Sequence, residues 1–213
     1  MIRLDIFSDP VCPWCYVGKS NLDRAFADAP DHPFAVLWHP FQLNPDMPRE
    51  GVPKRAYLEA KMGGRARVDA VHERLREVAR AAGVEIHPDK APKIPNTLDA
   101  HRLIHWAGIE GLQSPVVHAL MRAYWVDGRD IGEHQTLADI AAAEGLGRAE
   151  TLRLLASDAD ADDIRARDED ARSKGVNSAP TFLIAQKYVV TGAQPSETWG
   201  KVIAEIKDGQ ATT

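Results

Sequence analysis

Apolar and polar residues alternate at the start of the chain, which is the pattern of a strand. Residues 2–7 therefore predict a buried strand, and a Ser-Asp-Pro turn at residues 8–10 ends it. Residues 13 to about 29 predict a helix, with Pro13 in the first turn, where its missing N–H does no harm. A second strand is predicted at residues 34–38, so the chain begins strand–helix–strand.

The pattern becomes helical from about residue 54 to residue 174, after a proline-rich loop at 41–53. Asn96, with Asp99 three residues later, predicts the N-cap of a helix. Further helices are predicted at about 114–126, 136–144, 148–156 and 160–174. An apolar stripe with spacings of three and four predicts one more helix, which Gly83 ends; its members are Val68, Val71, Leu75, Val78 and Ala82.

The end of the chain returns to strands. Residues 181–184 and 188–191 predict a hairpin, and Pro195 opens a final helix whose apolar face includes Trp199 and Ile203. The order is therefore βαβ, a helical block, then ββα. Neither end is large enough to bury a core alone, so we expect the two ends to share one sheet.

This order predicts an α/β protein with two parts. Residues 1–45 and 175–213 form one domain, and residues 46–174 form an all-helical insertion between them. We expect a substrate groove where the two parts meet.

Composition narrows the class of protein. The 213 residues carry a formal net charge of -5 and a pI near 5.9, which argues against general binding to nucleic acid. No apolar run approaches the roughly 20 residues that span a bilayer, so no membrane partner is expected. The first residues lack the features of a signal peptide, and a cytoplasmic location follows. The alternative is a mature chain whose signal has been removed.

The chain has only two cysteines, Cys12 and Cys15, in the motif Cys-Pro-Trp-Cys. A structural disulfide between them would close a very small loop and constrain little of the unfolded chain. At the start of a helix, unpaired N–H groups and the helix dipole favour a thiolate on Cys12, and Cys15 lies one turn further on. Redox chemistry is the favoured interpretation. The alternatives are an inert pair or a zinc site completed by His101 and His105.

Ala179-Pro180 is the second informative feature, because a proline cannot continue a central strand ladder. A cis peptide bond is one resolution of such a turn, and an ordinary trans loop is the other.

Several strings together resemble the DsbA superfamily of thioredoxin-fold proteins, and most closely its FrnE-like branch. They cover nearly the whole chain and lie at 8–19, 40–45, 95–103, 178–182 and 191–195. The resemblance implies a thioredoxin fold (βαβ…ββα) with a large all-helical insertion. It also implies a cis peptide at Ala179-Pro180 facing the cysteines, an exposed nucleophile at Cys12 and a resolving thiol at Cys15.

The resemblance further implies a substrate groove formed with Pro13, Trp14, Ala179 and Pro180. Asn96 and His101 belong to one of the matching strings and are weaker candidates for this groove. A buried or boundary role is the competing interpretation for His101. Trp14 fits an exposed substrate contact and a packing residue equally well. Asp9 is interpreted as a turn former rather than as a buried acid that tunes the thiols.

The predicted function is thiol–disulfide oxidoreduction (reduction, oxidation or isomerisation) by a DsbA-family enzyme acting on protein or small-molecule disulfides. No tightly bound cofactor or metal is expected, glutathione is a candidate co-substrate, and the protein is expected to be a monomer or a homodimer. Kappa-class glutathione transferases and 2-hydroxychromene-2-carboxylate isomerases have a similar layout but usually carry serine at the position of Cys12. They supply the alternative, a glutathione-dependent isomerase or transferase acting on a small aromatic compound. A binding protein without catalysis is a third hypothesis.

Overall fold

The first forty residues form a parallel strand–helix–strand unit in the computed structural model, which describes residues 1–211. Strand β1 (Ile2–Ser8) and strand β2 (Phe34–Pro40) pair in parallel, and helix α1 (Pro13–Asp28) connects them. Leu4 and Ile6 are fully buried, because alternate residues of β1 point towards the core. The predicted start of the chain is confirmed.

The last forty residues complete the same sheet. Strands β5 (Thr181–Ile184) and β6 (Tyr188–Thr191) form the predicted hairpin, and β5 pairs antiparallel to β1, so the strand order is β2-β1-β5-β6. Helix α9 (Ser196–Ala211) follows, packs against α1 and buries Trp199. The two ends of the chain therefore build one sheet, as predicted.

The segment between the two ends is helical, with one small exception. A two-residue antiparallel ribbon joins β3 (Val52–Pro53) and β4 (Lys93–Ile94), which the sequence did not predict. The helices are α2 (Lys54–Met62), α3 (Arg65–Ala81), α4 (Leu98–Ile109), α5 (Gln113–Trp125), α6 (His134–Ala143), α7 (Arg148–Leu155) and α8 (Ala161–Ser173). The fold is mixed α/β with a helical insertion, as predicted. The proposed division at residues 45 and 175 stays a prediction.

Helix α3 buries a different face from the one that its apolar residues predict. Val71 belongs to the predicted stripe but is 44% exposed, whereas His72 is only 6% exposed. Val68 and Leu75 are buried as predicted, and Ala79 is buried as well. The buried face is therefore rotated away from Val71, which borders a cavity described below.

One further detail differs from the prediction. Helix α4 has Thr97 at its N-cap, and the Asn96 carboxamide instead accepts a hydrogen bond from the backbone N–H of Leu98 (2.9 Å). Asp168 lies in the charged helix α8 but is buried, and it accepts a hydrogen bond from the backbone N–H of Gln42 (2.9 Å). Across residues 1–211, no helix combines the length and the apolar character needed to cross a membrane.

Candidate active site

Cys12 lies directly before helix α1, at its N-cap, as the sequence predicted. Its backbone N–H donates to the carbonyl of Asp9 (2.9 Å), and its sulfur accepts the backbone N–H of Cys15 (3.4 Å). Pro13 occupies the first helical turn, where no N–H is needed. The sulfur thus faces the unpaired N–H groups and the positive end of the helix dipole, which stabilise negative charge.

The second motif meets the first at this point. The Ala179-Pro180 peptide bond is cis, which confirms the prediction, and the Cys12 thiol lies 3.5 Å from the Ala179 carbonyl oxygen. At Gly18 in α1, a Cβ would lie only 3.3 Å from the Pro180 ring, so the backbone of α1 approaches Pro180 closely there. Close packing between α1 and the start of β5 therefore holds the two motifs together.

Cys15 lies deeper than Cys12 and is 1% exposed. Both cysteines are free thiols in the structure. Burial raises the pKa of Cys15 well above its usual value, and the Ser8 hydroxyl and the Asp9 backbone N–H oppose that rise. A thiol that stays protonated and lies one turn from the Cys12 sulfur suits the second step of a dithiol reaction.

Cys12 itself is only 2% exposed, so the prediction of an exposed nucleophile is wrong. The reason is that the helical insertion covers it. Cys12 lies on the wall of a cavity of about 470 Å³ that α1 shares with α2, α3, α5 and residues 177–179. The wall is mostly apolar and includes Val11, Leu58, Val71, Leu75, Ile94 and Trp125.

The most unusual polar residue on this wall is Lys54, at the start of α2. It is 6% exposed, and its ammonium group makes no hydrogen bond with any residue that the structure describes. Its Nζ instead lies 4.6 Å from the ring centroid of Tyr124 and 4.5 Å from that of Trp125, which are cation–π distances. Burial lowers the pKa of Lys54 to about 8. A buried ammonium without a hydrogen-bonded partner favours an anionic ligand in the cavity.

The residues predicted for the groove divide into two groups. Pro13, Trp14 and Ala179 line the cavity with Cys12, and Trp14 is 39% exposed at its rim. Pro180 lies buried beside them. Asn96 and His101 do not belong to the cavity wall: the Asn96 carboxamide donates to the Met47 carbonyl (2.6 Å), and His101 is buried in the protein interior.

Asp9 and His101 form a buried pair behind the cysteines. The Asp9 carboxylate accepts N–H groups from Val11 (3.4 Å) and Leu43 (2.7 Å), so it is a buried acid as well as a turn residue. His101 Nε2 lies 3.8 Å from Asp9 Oδ1. Burial raises the pKa of Asp9 to about 7 and lowers that of His101 to about 4. Near neutral pH, His101 is therefore uncharged, and Asp9 is close to the midpoint of its titration.

No three or more His, Cys, Asp or Glu side chains converge to hold a metal ion within the described part of the chain. The site brings together two free thiols, a cis-proline loop and an apolar cavity.

This arrangement of a βαβ…ββα sheet and a Cys-x-x-Cys helix start matches a known family model. The DSBA-like thioredoxin domain model matches residues 3–204. The chain belongs to this family. Its fold is the thioredoxin fold with a helical insertion that also contains the short ribbon of β3 and β4.

Three solved structures are similar to this DSBA-like protein. The protein described as the probable DsbA oxidoreductase SCO1869 from Streptomyces coelicolor is 30% identical, with a TM-score of 0.86 over 96% of this chain and 89% of that one. A 2-hydroxychromene-2-carboxylate isomerase shares the fold at 16% identity, with a TM-score of 0.76 over 99% and 98%. The cytosolic disulfide reductase DsbM from Pseudomonas aeruginosa, solved with GSH, is 20% identical, with a TM-score of 0.68 over 99% and 100%.

Sequence reasoning missed the polar residues that the insertion of this DSBA-like protein contributes to the cavity. Lys54, Tyr57, Lys61 and His72 all come from α2 and α3, more than forty positions from Cys12. Lys54 follows Val52-Pro53 at the start of a helix, where a lysine is unremarkable. Among these residues only His72 carried a usable signal, because it takes a buried position of α3 that apolar residues normally fill.

Proposed function

We propose that this protein is a thiol–disulfide oxidoreductase of the FrnE-like branch, with Cys12 as the nucleophile and Cys15 as the resolving thiol. One observation carries the proposal. The Cys12 sulfur receives the Cys15 N–H at a helix N-terminus and lies beside Ala179 on the wall of a substrate-sized cavity.

The reaction follows from this geometry. The Cys12 thiolate attacks one sulfur of a substrate disulfide, the substrate S–S bond breaks, and its electron pair leaves with the other sulfur, which takes a proton. The resulting mixed disulfide is then attacked by Cys15 after it loses its proton. This step releases the reduced substrate and forms the Cys12–Cys15 disulfide. The high pKa of Cys15 keeps it protonated until the mixed disulfide is in place.

We expect Cys15→Ser to stop the reaction at the mixed disulfide. Cys12 keeps its position and its hydrogen bond from the backbone of residue 15, so the first attack proceeds, but no resolving thiol remains. Steady-state reduction of insulin should fall by about a hundredfold. Intact-protein mass spectrometry should detect a covalent adduct with the substrate thiol that dithiothreitol removes. Full turnover without an adduct would contradict the dithiol mechanism.

Glutathione is our candidate for the small thiol that enters the cavity. The wall carries the cations Lys54 and Lys61 and no carboxylate in the described residues, so it favours a thiol with a negative charge. A volume of about 470 Å³ is in the usual range for a small-molecule site. The DsbM structure, which shares the fold, was solved with GSH.

We expect Lys54→Met to raise KM for glutathione by about tenfold, since a charge-assisted contact to a carboxylate is lost. Methionine has a similar length and leaves no buried charge, so the fold should be retained. The KM for 2-mercaptoethanol, which has no carboxylate, should change less than about twofold by the same reasoning. Lys174→Met is the matched control, because Lys174 is 70% exposed and pairs with Asp170 away from the cavity. Equal effects on both thiols would contradict an anion site at Lys54.

A glutathione-dependent isomerase or transferase is the second candidate, and the enclosed apolar wall around Trp125, Tyr124 and Leu75 favours it, because that wall suits an aromatic compound. The isomerase that shares the fold fits the same idea. Cys15→Ser separates the candidates. An isomerase needs no resolving thiol, so this variant should keep its activity on an aromatic substrate with glutathione while the disulfide reduction is lost.

We propose the cytoplasm as the compartment. Two cysteines three positions apart, with no other cysteine in the chain, are typical of a redox pair rather than of an exported disulfide framework. The compartment is tested by fractionation of the producing cell, where recovery with the exported proteins would contradict it.

A further inference from the structure

His72 has a setting that the dithiol mechanism does not use. It lies in α3 and is 6% exposed, and its Nδ1 is 2.9 Å from the Asp89 carboxylate. An ionised carboxylate only accepts hydrogen bonds, so Nδ1 carries the proton and Nε2 keeps a free lone pair. Nε2 makes no hydrogen bond with any residue of the described chain.

His72 also separates two spaces. It lines the cavity that contains Cys12, together with Lys54 and Leu58. The same three residues line a second, smaller cavity of about 190 Å³, whose outer wall includes Arg55 and Asp89. Asp89 is half exposed and forms ion pairs with Arg76 and Arg55 (3.7 Å). The imidazole therefore connects an apolar cavity with a carboxylate at the protein surface.

A thiol that reacts in this cavity needs a proton acceptor such as this imidazole. A small thiol is mostly protonated near neutral pH, whereas only its thiolate attacks a disulfide. An apolar wall disfavours the charge separation that ionises it. The titratable side chains that line the cavity in the described residues are Cys12, Lys54, Tyr57, Lys61, His72 and Tyr124.

His72 is the side chain on this wall that is best suited to accept a proton. Lys54 holds a proton below its pKa of about 8. The Tyr57 hydroxyl donates to Asn44 (2.7 Å), and burial raises the pKa of Tyr124 above its usual value. Burial lowers the pKa of His72, and the positive charges of Lys54 and Arg76 act in the same direction against the opposing Asp89 carboxylate. A neutral imidazole with a free lone pair remains.

We propose that His72, oriented by Asp89, is the general base that removes the proton of a small thiol entering the Cys12 cavity. This inference rests on the proposed function and adds to it the group that activates the reducing thiol.

The atoms balance as follows. His72 Nε2 takes the proton of R–SH, and the thiolate attacks the Cys12 sulfur of the oxidised protein. A bond forms between R–S and Cys12, the Cys12–Cys15 bond breaks, and the electron pair goes to Cys15, which takes a proton. His72 Nε2 then releases that proton to solvent, which restores the neutral imidazole with its Nδ1–H held by Asp89. A second thiol then attacks the mixed disulfide, giving R–S–S–R and the Cys12 thiol, so that two thiols are oxidised and one disulfide is reduced.

The test is the rate at which glutathione reduces the oxidised protein, followed by the intrinsic tryptophan fluorescence or by rapid alkylation and mass spectrometry, as a function of pH. At about pH 7, His72→Gln should be slower than the wild type by about a hundredfold, which is typical for the loss of a general base. Above the thiol pKa of roughly 8.5 the thiolate forms in solution, and the two rates should converge to within about threefold. Below the pKa of His72 the wild type should also slow, since the protonated imidazole cannot accept a proton.

Controls separate this role from a structural one. Asp89→Asn leaves His72 in place but removes its orienting carboxylate. It should lower the rate of reduction by glutathione about tenfold, and only near neutral pH. His87→Gln should match the wild type, since His87 is exposed and pairs with Glu85 outside the cavity. The same series with 2-mercaptoethanol should give the same pH dependence, because the step needs no carboxylate.

Three outcomes would overturn the proposal. The first is an unchanged rate for His72→Gln near neutral pH, and the second is a His72→Gln rate that is lowered by the same factor at every pH. The third is a wild-type protein that neither glutathione nor 2-mercaptoethanol reduces. Each leaves the proposed function to its own test, because a single turnover of the reduced protein on a chromogenic disulfide depends on Cys12 and needs no small thiol in the cavity.

Discussion

Cys12→Ser should slow the reduction of insulin disulfides by at least about a thousandfold, because a serine hydroxyl stays protonated and is a poor nucleophile towards sulfur. The exchange replaces one atom of a side chain that is 2% exposed, so the packing around the helix start should be kept. The measurement is insulin reduction with dithiothreitol as the electron donor, together with a thermal melt that confirms folding.

The matched control is Cys15→Ser, which alters the other sulfur of the same motif. It should release one equivalent of thiol from a chromogenic disulfide in a single fast phase, whereas Cys12→Ser should release none. The expected loss for Cys12→Ser is about a thousandfold. If the variant kept more than about a tenth of the wild-type rate, Cys12 would not be the nucleophile. If Cys12→Ser and Cys15→Ser both kept more than about a tenth of the wild-type rate, neither thiol would take part in the reaction.

The sheet could be predicted from the sequence because each strand is a short apolar segment between turn residues. Leu4 and Ile6 are buried, and β5 pairs with β1 although about 180 residues separate them, since neither end could bury a core alone. The two-residue ribbon of Val52–Pro53 and Lys93–Ile94 was missed. Two residues are too few for a period of two to be visible.

The position of Cys12 could be predicted, but its burial could not. A helix start depends on local signals such as Pro13, which the sequence contains. Exposure depends on what the insertion places over the site, namely Lys54, Leu58 and Leu75 from α2 and α3. Such contacts between distant residues leave no periodic pattern.

Helix α3 buries a polar residue, His72, in place of one member of its predicted apolar stripe. The spacing rule selected Val71 because it is apolar, yet the helix turns His72 inward and leaves Val71 at the rim of the cavity. Burial of a histidine becomes tolerable once a carboxylate such as that of Asp89 accepts a hydrogen bond from its ring N–H. Both residues that depart from the predicted pattern, Val71 and His72, lie on the cavity wall. A mismatch of this kind between pattern and structure is expected at functional sites.

The string at residues 95–103 illustrates a second limit. It resembles a family motif and predicted groove residues, but one of its members, Arg102, is 2% exposed and lies in a buried network. Its guanidinium donates to the Asp99 carboxylate (2.7 Å) and to three backbone carbonyls, those of Leu154 (2.7 Å), Ser157 (2.8 Å) and Ala159 (2.7 Å). Arg102 thus joins α4 to the C-terminal end of α7, where carbonyl groups lack partners within the helix.

We expect Arg102→Met to lower the free energy of unfolding by about 3–5 kcal/mol, which is typical when one partner of a buried charged network is removed. A well-packed apolar residue can replace a buried ion pair when both partners are replaced together. Here the acceptors include three backbone carbonyls that no substitution removes. Arg102→Lys should recover little of the loss, because an ammonium group lacks the planar fork that reaches several acceptors at once.

Urea denaturation followed by circular dichroism measures this change, with Arg153→Met as the matched control. Arg153 lies nearby in α7 but is 69% exposed and pairs only with Glu150, so its loss should alter stability by less than about 0.5 kcal/mol. A loss below about 1 kcal/mol in Arg102→Met would mean that water replaces the guanidinium at those carbonyls. The expected difference between the two arginines follows from the burial of Arg102 and from its three carbonyl acceptors, since each arginine lies beside an acidic residue three positions away.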